Sequence, residues 1–184
     1  MSLPVFNYHP DPIQSGSVAV ATTKCVCCGK ARGYVYAGPI YAEDELDDLI
    51  CPWCIADGTA HEKFDATFAD AEAFADDLPG AVVEEITTRT PGFNVWQGER
   101  WLACCGGVAA FIEPVGITEL RQRYRSLEMQ VLSNIIYDLH ISGGAAHRML
   151  ESLNRDLGPT AYVFKCLRCE SMHTFVDGIF SVTA

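Results

Sequence analysis

Apolar residues recur at helical spacing over residues 59–78, while acidic residues occupy the opposite face of the same stretch. Thr59 and Glu62 match a capping box, in which two side chains bind backbone N–H groups of the first turn, and Pro79 with Gly80 ends the pattern. We therefore predict one amphipathic helix here. Its apolar positions are Phe64, Phe68, Ala71, Ala75 and Leu78.

A second helical pattern starts at about Thr118 and follows one apolar stripe until the glycines at 143 and 144. A shorter helix is predicted over residues 145–155, before a glycine and a proline interrupt the chain. The stripe of the longer helix consists of Leu120, Tyr124, Leu127, Val131, Ile135 and Leu139.

The remaining apolar segments are short and rich in β-branched and aromatic residues, which favours strands. Residues 17–23 and 33–37 predict a hairpin with the segment CVCCGK at its tip, and residues 82–112 predict further β structure. Residues 161–180 predict a strand, a cysteine turn and another strand. This order of elements predicts an α+β fold. We expect a single compact domain over residues 1–184, with possible sub-modules at 1–80 and 81–184.

The composition is that of an ordinary globular chain, with 49% hydrophobic and 20% charged residues among 184. The start of the chain lacks the basic and apolar segments of a signal peptide. No run of residues approaches the roughly 18 apolar positions that span a bilayer. We therefore expect a cytoplasmic protein without membrane contact.

Acidic residues outnumber basic ones by 24 to 13, so the formal net charge is −11. Such a chain would be repelled by phosphate backbones, and nucleic acid is therefore not the expected partner. A protein partner fits the charge better, in particular a basic one.

Nine cysteines in a reducing compartment favour metal binding over disulfides. Cys25 and Cys28 form one CxxC pair, and Cys51 and Cys54 form another further along the chain. Two residues between cysteines let a turn direct both thiolates to one ion, and zinc takes four such ligands as a tetrahedron. We predict a structural zinc ion at these four residues. Thioredoxin-like redox chemistry and unreactive buried thiols are the competing interpretations, but a redox CxxC needs no second pair.

Cys27 is adjacent to Cys28, and the side chains of neighbouring residues in an extended chain diverge. We therefore expect Cys27 to be a spare cysteine that packs as a small hydrophobic residue. The order of knuckle, hairpin and second cysteine pair before a helix is that of a treble-clef-like zinc module, which is an analogy of arrangement only.

A third CxxC pair, Cys166 and Cys169, lies between two predicted strands and indicates a second zinc knuckle that closes the fold. Cys104 or Cys105 could supply a third ligand, and His173 could supply the fourth. Reduced thiols without metal are one alternative. Three protein ligands with an open fourth position are another, and such a zinc ion would activate a bound water.

No phosphate loop, dinucleotide fingerprint or nucleophile elbow is present, and no catalytic residue is identified. The leading hypothesis is a non-enzymatic interaction or stress-tolerance protein, in which zinc holds the binding surface in place. One alternative is a zinc hydrolase that uses an open second site at Cys105, Cys166 and Cys169, with Glu113 or Glu170 as general base. Another is a sensor in which Cys27 and the 104–105 pair oxidise and release zinc.

Several motifs are long enough to be specific. They are LPVFNYHPDPIQSGSV, the CxCCG knuckle, RGYVYAGPIY, LICPWCIADGTAHEKFDATF, PGFNVWQGERWLACCG and AYVFKCLRC. Together these motifs resemble the CbrC family of bacterial proteins, which is an uncharacterised protein family.

The resemblance covers about residues 3 to 177 and implies a zinc-binding cytosolic protein without assigned catalytic residues. The family's cysteine pattern matches the three CxxC pairs. One departure is that Cys104 stands where the family has a histidine and Ala109 where it has a further cysteine, so the second site depends on Cys104 as a substitute.

Overall fold

The computed structural model describes residues 2–178, which divide into two units. Unit 1 runs to Asn94 and also includes Glu99–Ala110, and unit 2 consists of Val95–Gly98 and the chain from Phe111 onward. Both units combine helices with small sheets. The predicted α+β class is therefore confirmed.

The elements of unit 1 are short because turns and loops interrupt it often. Strand β1 (Val18–Val20) pairs with β2 (Tyr34–Tyr36), and strand β3 (Ala103–Cys104) pairs with β4 (Gly107–Val108), both antiparallel. Buried residues such as Val18, Ile55 and Phe68 form one core together with three of the cysteines. The elements are β1 Val18–Val20, β2 Tyr34–Tyr36, α1 Pro52–Ala56, α2 Thr59–Phe64, α3 Gly80–Arg89, β3 Ala103–Cys104 and β4 Gly107–Val108.

The prediction of one helix over residues 59–78 is wrong beyond Phe64. Asp65 adopts a left-handed conformation with φ 51° and ends α2 by donating its N–H to the carbonyl of His61. Thr67 then pairs with Tyr41 in a β-bridge. Phe68 is buried in the core of unit 1, so burial of this side chain draws the chain out of the helix.

The predicted capping box at Thr59 and Glu62 does not form. The residue that precedes α2 is Gly58, in a left-handed conformation. The Thr59 N–H and hydroxyl both bind the side chain of Asp57 instead. Since Thr59 is already the first helical residue, its side chain cannot reach the N–H groups that a capping residue would bind.

Part of the β structure predicted over 82–112 is wrong, because the segment VVEEITT lies in α3. Ile86 is fully buried, and the Thr87 and Thr88 hydroxyls donate to the carbonyls of Val83 and Glu84 in the preceding turn at 2.9 and 2.8 Å. Burial and these hydrogen bonds outweigh the preference of β-branched residues for strands. Residues 93–97 form no strand either, whereas β3, β4 and the strand that follows agree with the prediction.

Unit 2 contains a three-stranded sheet with helices packed against one face. The strand order is β5 (Ala110–Val115), β6 (Thr160–Lys165) and β7 (Met172–Asp177). Strands β6 and β7 are antiparallel, with Phe164 opposite His173. Apolar residues of the three helices meet Val163 and Val176 of the sheet in one core. The elements are β5 Ala110–Val115, α4 Ile117–Arg123, α5 Glu128–Tyr137, α6 Gly143–Ser152, β6 Thr160–Lys165 and β7 Met172–Asp177.

The predicted long helix from Thr118 is two helices, because the backbone leaves the helical conformation at Tyr124 (φ −130°, ψ 35°). The Tyr124 hydroxyl donates to the buried Glu113 carboxylate at 2.6 Å, which holds this break in place. The apolar stripe still packs into one core, since Leu120 and Ile135 are both fully buried there. The last predicted strand ends at Asp177 in the structure, and positions 179 and 180 of that prediction lie outside the described residues.

Candidate metal centres

The segment CVCCGK forms a tight knuckle between β1 and β2. The Cys25 N–H donates to the Lys30 carbonyl at 3.1 Å, and the Gly29 N–H donates to the Cys25 carbonyl at 2.7 Å. Gly29 has φ 70°, a left-handed conformation that glycine adopts at little cost. The knuckle therefore turns the Cys25 and Cys28 side chains to the same side.

The second cysteine pair lies at the start of helix α1. Cys51 precedes Pro52, whose fixed φ suits the first position of a helix, and Cys54 belongs to the first turn. The Cys54 N–H donates to the Cys51 carbonyl at 3.0 Å. This single turn places both sulfur atoms on the side that faces the knuckle.

The four sulfur atoms lie at the spacing of a metal–thiolate tetrahedron. The Sγ atom of Cys54 lies 3.8 Å from that of Cys25 and 3.6 Å from that of Cys51, and Cys28 Sγ lies 3.8 Å from Cys51 Sγ. A tetrahedron with metal–sulfur bonds of roughly 2.3 Å has sulfur–sulfur edges of about 3.8 Å. The distances are far from the roughly 2.05 Å of a disulfide bond. These residues could therefore hold one metal ion.

The electrostatics of the group favour a cation at its centre. Burial disfavours the Cys25 thiolate, but backbone N–H groups of Cys27, Cys28 and Cys51 donate to the sulfur, and the net effect lowers its pKa to about 7. Burial is the main cause that raises the pKa of Cys51 to about 11, and it also raises the pKa of Cys54. A bound cation is the group that would keep all of these sulfurs ionised.

Two cationic side chains lie beside the knuckle, and spacing along the sequence did not predict either. Lys63 Nζ donates to the carbonyl of Val26 at 3.0 Å, and Cys27 O lies 3.4 Å from it. The Arg32 guanidinium stacks 5.1 Å from the centre of the Trp53 ring. A divalent ion with four thiolates has a net charge of −2, which these cations balance in part.

Cys27, predicted as the spare cysteine, lies outside the group of four that could hold a metal ion. It is half-buried and packs against the core of unit 1. Burial is the main cause that raises its pKa. The structure therefore gives Cys27 the environment of a small apolar residue.

Cys166 and Cys169 form a second knuckle with the same backbone pattern as the first. The Cys166 N–H donates to the Ser171 carbonyl at 2.9 Å, and the Glu170 N–H donates to the Cys166 carbonyl at 3.1 Å. These bonds join the same relative positions as those around Cys25. Glu170 takes the place of Gly29 and has φ 60°. The common geometry supports two related metal-binding modules in one chain.

Cys104 and Cys105 lie at the hairpin between β3 and β4. Cys104 pairs with Gly107, and the two residues between them, Cys105 and Gly106, both have positive φ, at 54° and 69°. This is the conformation of a two-residue hairpin turn. The turn places the two Sγ atoms 3.7 Å apart.

The cysteines predicted as ligands of a second metal ion, called the second group below, lie in both units: Cys104 and Cys105 belong to unit 1, and Cys166 and Cys169 belong to unit 2. His173, the predicted fourth ligand, also belongs to unit 2. Its Nε2 atom lies 2.9 Å from Ser171 Oγ, which in turn lies 3.0 Å from Cys169 Sγ. Which of Cys104 and Cys105 would join Cys166 and Cys169 as a ligand stays a prediction.

The two acids considered as general bases already have partners. Glu113 accepts a hydrogen bond from Tyr124 and pairs with Arg123 at 2.8 Å. Glu170 pairs with Lys165 at 3.3 Å. Glu113 is buried, whereas Glu170 is largely exposed to solvent and pairs through one carboxylate oxygen.

The fold and the first cysteine group define a class: an α+β protein with a four-cysteine set that could bind metal. The family model described as "Uncharacterised protein family (UPF0167)" matches residues 3–178, and the chain belongs to this family. UPF0167 proteins of Mycobacterium bovis and Mycobacterium tuberculosis are each 46% identical over 176 residues, which cover 95% of this chain and 93% of theirs. A UPF0167 protein of Pseudomonas aeruginosa is 40% identical over 177 residues, covering 95% of this chain and 97% of its own.

No solved structure matches the chain significantly. Within residues 2–178, every helix is too short or too polar to cross a membrane.

Proposed function

We propose that the protein is a non-enzymatic zinc-binding protein, in which a zinc ion at Cys25, Cys28, Cys51 and Cys54 stabilises unit 1 and the unit presents a surface to another protein. The observation that supports this is the set of sulfur–sulfur distances of 3.6 to 3.8 Å among these four residues. Zinc and iron both accept four thiolates as a tetrahedron, and zinc is the usual ion of structural sites.

The environment of the first group supports a structural ion over a catalytic one. Four thiolates fill a tetrahedron and leave no position for a water or substrate. Cys25, Cys51 and Cys54 are each no more than 3% exposed. The resemblance to the CbrC family supports zinc binding, because it implies a zinc-binding protein for which no catalytic residues are assigned. A reducing cytosol is the compartment we propose, since closely spaced cysteines that bind metal are typical of proteins in such a compartment.

Elemental analysis tests the proposal on protein purified without chelators or added metal. We expect at least about one zinc per chain, and about two if the second group also binds. Replacement of zinc by cobalt should give the visible absorption of a tetrahedral four-thiolate site. The structural zinc ion would be refuted if the protein contained iron in place of zinc. It would also be refuted if removal of the metal left the melting temperature unchanged.

The exposed thiols of the second group favour a second candidate function, a thiol-redox sensor. Cys105 and Cys169 are exposed, whereas three cysteines of the first group are buried. A peroxide could oxidise two such thiols to a disulfide, with two electrons passing to the peroxide and two waters formed. Zinc release by mild peroxide, reversed by a thiol reductant, would support this candidate. Zinc retention under the same treatment would rule it out.

A further inference from the structure

The negative charge of the protein is concentrated in unit 1. This unit has 16 of the 24 acidic residues but only 6 of the 13 basic ones, whereas unit 2 has 8 acidic and 7 basic residues. The net charge of −11 therefore belongs almost entirely to unit 1. Electrostatic attraction of a partner should act there.

Within unit 1, the stretch between Lys63 and Arg89 has seven acidic residues and no basic one. The structure folds this segment into a short 3-10 helix at Ala71–Ala73, a turn at Asp76 and Asp77, and helix α3. Most of its acidic side chains are exposed to solvent. They are Asp65, Asp70, Glu72, Asp76, Asp77, Glu84 and Glu85.

The same segment surrounds a surface cavity of about 410 Å³. Phe74, Leu78 and Val83 line it with apolar groups, and Asp76 and Glu84 contribute carboxylates. None of the residues that line this cavity is basic. An apolar cavity with an acidic edge suits a ligand that combines an apolar side chain with positive charge.

One wall of this cavity is held by a buried tryptophan. Phe74 stacks on Trp101 with ring centres 5.9 Å apart and an angle of 7° between the rings. The backbone N–H of Trp101 donates to the Ala73 carbonyl at 3.0 Å. Glu99 accepts hydrogen bonds from the Trp101 indole at 2.6 Å and from the Asp70 N–H at 3.1 Å. These contacts hold the wall in place before any ligand arrives, which reduces the entropic cost of binding.

A second surface cavity beside α3 is a weaker candidate. It has a similar volume, about 400 Å³, but Arg89 lines it along with Glu84 and Glu85. The Arg89 guanidinium would repel a basic ligand. It would also compete with that ligand for the carboxylates of Glu84 and Glu85. Charge complementarity therefore selects the cavity at Phe74, Leu78 and Val83.

We propose that this cavity is the docking site for a basic amphipathic segment of a partner protein. An aliphatic or aromatic side chain of the segment enters between Leu78 and Val83, and its flanking Lys or Arg side chains pair with Asp76 and Glu84. The inference rests on the proposed function, because it names the class of partner that the zinc-stabilised unit binds. A second copy of this chain is a poor occupant, since two units of the same negative charge repel each other.

The test uses the zinc-loaded full chain and a fluorescein-labelled amphipathic peptide of lysine and leucine, with binding followed by fluorescence anisotropy. The double variant Asp76→Lys, Glu84→Lys should weaken the affinity by about tenfold or more. Its matched control is Glu43→Lys, Asp44→Lys, which changes the net charge equally at two exposed acids away from the cavity. We expect this control to change the affinity by less than about threefold.

The apolar part of the proposal has a test of its own. Val83→Asp should weaken binding even though it adds negative charge, because a carboxylate in the cavity excludes the leucine side chains. A peptide in which serine replaces leucine should bind more weakly than the lysine and leucine peptide. Circular dichroism and zinc content show whether each variant is folded.

Three results would overturn the docking site. They are equal losses in the two double variants, equal binding of the two peptides, and self-association of the chain that the Asp76→Lys, Glu84→Lys variant abolishes. Absence of peptide binding by a chain with normal zinc content would also overturn this inference while leaving the structural zinc ion intact. A chain without zinc would refute the proposed function first.

Discussion

The Nδ1 atom of His9 lies 2.7 Å from the carbonyl oxygen of Pro91, and its Nε2 atom lies 2.7 Å from the Ser15 hydroxyl oxygen. Because a carbonyl only accepts, Nδ1 holds the proton of the neutral ring and Nε2 is free to accept from Ser15. His9 is completely buried. These bonds tie the N-terminal arm of unit 1 to the segment that follows α3.

The buried His9 predicts a loss of stability in weak acid. Burial lowers its pKa from 6.5 to about 4, although the Pro91 carbonyl and Asp11 act in the opposite direction. Between these pH values the unfolded chain binds a proton that the folded chain does not, so the free energy of unfolding falls as the pH falls. We expect this one group to cost about 2 kcal/mol between pH 7 and pH 5.

Urea unfolding at both pH values, compared with His9→Gln, measures this effect. Acid also weakens zinc binding by thiolates, but that contribution is common to the two proteins and cancels in the comparison. His9→Gln should show the smaller loss between pH 7 and pH 5. Equal losses in both proteins would show that His9 does not titrate as its burial predicts.

Substitution of a cysteine in the first group should unfold unit 1, and substitution of the spare cysteine should not. Structural zinc contributes on the order of 10 kcal/mol, which is comparable with the whole stability of a domain of this size. We expect Cys25→Ser to lose the zinc ion and the cooperative unfolding of unit 1. Cys27→Ser is the matched control, because Cys27 lies in the same knuckle with one residue between it and Cys25. This variant should retain the zinc ion and the cooperative unfolding of unit 1. Elemental analysis and thermal unfolding of the two variants give the answer, and zinc retained by Cys25→Ser would count against the site.

Removal of the Glu113 carboxylate should destabilise unit 2. The side chain is 1% exposed and holds Tyr124 and Arg123. Glu113→Ala leaves a cation and a hydroxyl without their partner, at an expected cost of about 3 kcal/mol. Glu151→Ala is the control, since its pair with Arg121 is exposed and should hardly affect the melting temperature. Similar melting temperatures for the two variants would contradict this assignment.

A methyl group at Gly92 should be strongly destabilising. A Cβ atom there would lie 1.8 Å from the backbone carbonyl oxygen of Phe68 and 3.1 Å from the Tyr36 hydroxyl, and the backbone cannot move away without breaking the core. We expect Gly92→Ala to lower the free energy of unfolding by about 3 kcal/mol or more. Gly80→Ala provides the comparison, because it meets nothing within 4 Å and lies in α3, where alanine should add about 0.5 to 1 kcal/mol. Denaturant unfolding of both variants would measure these two changes in the free energy of unfolding.

The sequence by itself determined the cysteine knuckles, the strands around them and the α+β class. A CxxC turn is a local structure, set by a few backbone bonds and by the reach of two side chains, so spacing is enough to identify it. The grouping of 25/28 with 51/54 agrees with the cysteine residues singled out in the sequence, whereas the ligand set of a second site stays a prediction. The apolar stripe from Leu120 to Ile135 also identified its core face correctly, even though the helix breaks at Tyr124.

Only the tertiary structure decided where helices end and what surrounds the cysteines. The chain leaves the helical path after Phe64 because Phe68 is buried in the core, and α3 forms from β-branched residues because Ile86 is buried. Lys63 reaches the knuckle across 37 residues of sequence. Burial and contacts of this kind depend on residues distant along the chain, and their free energies exceed the small preferences that local sequence expresses.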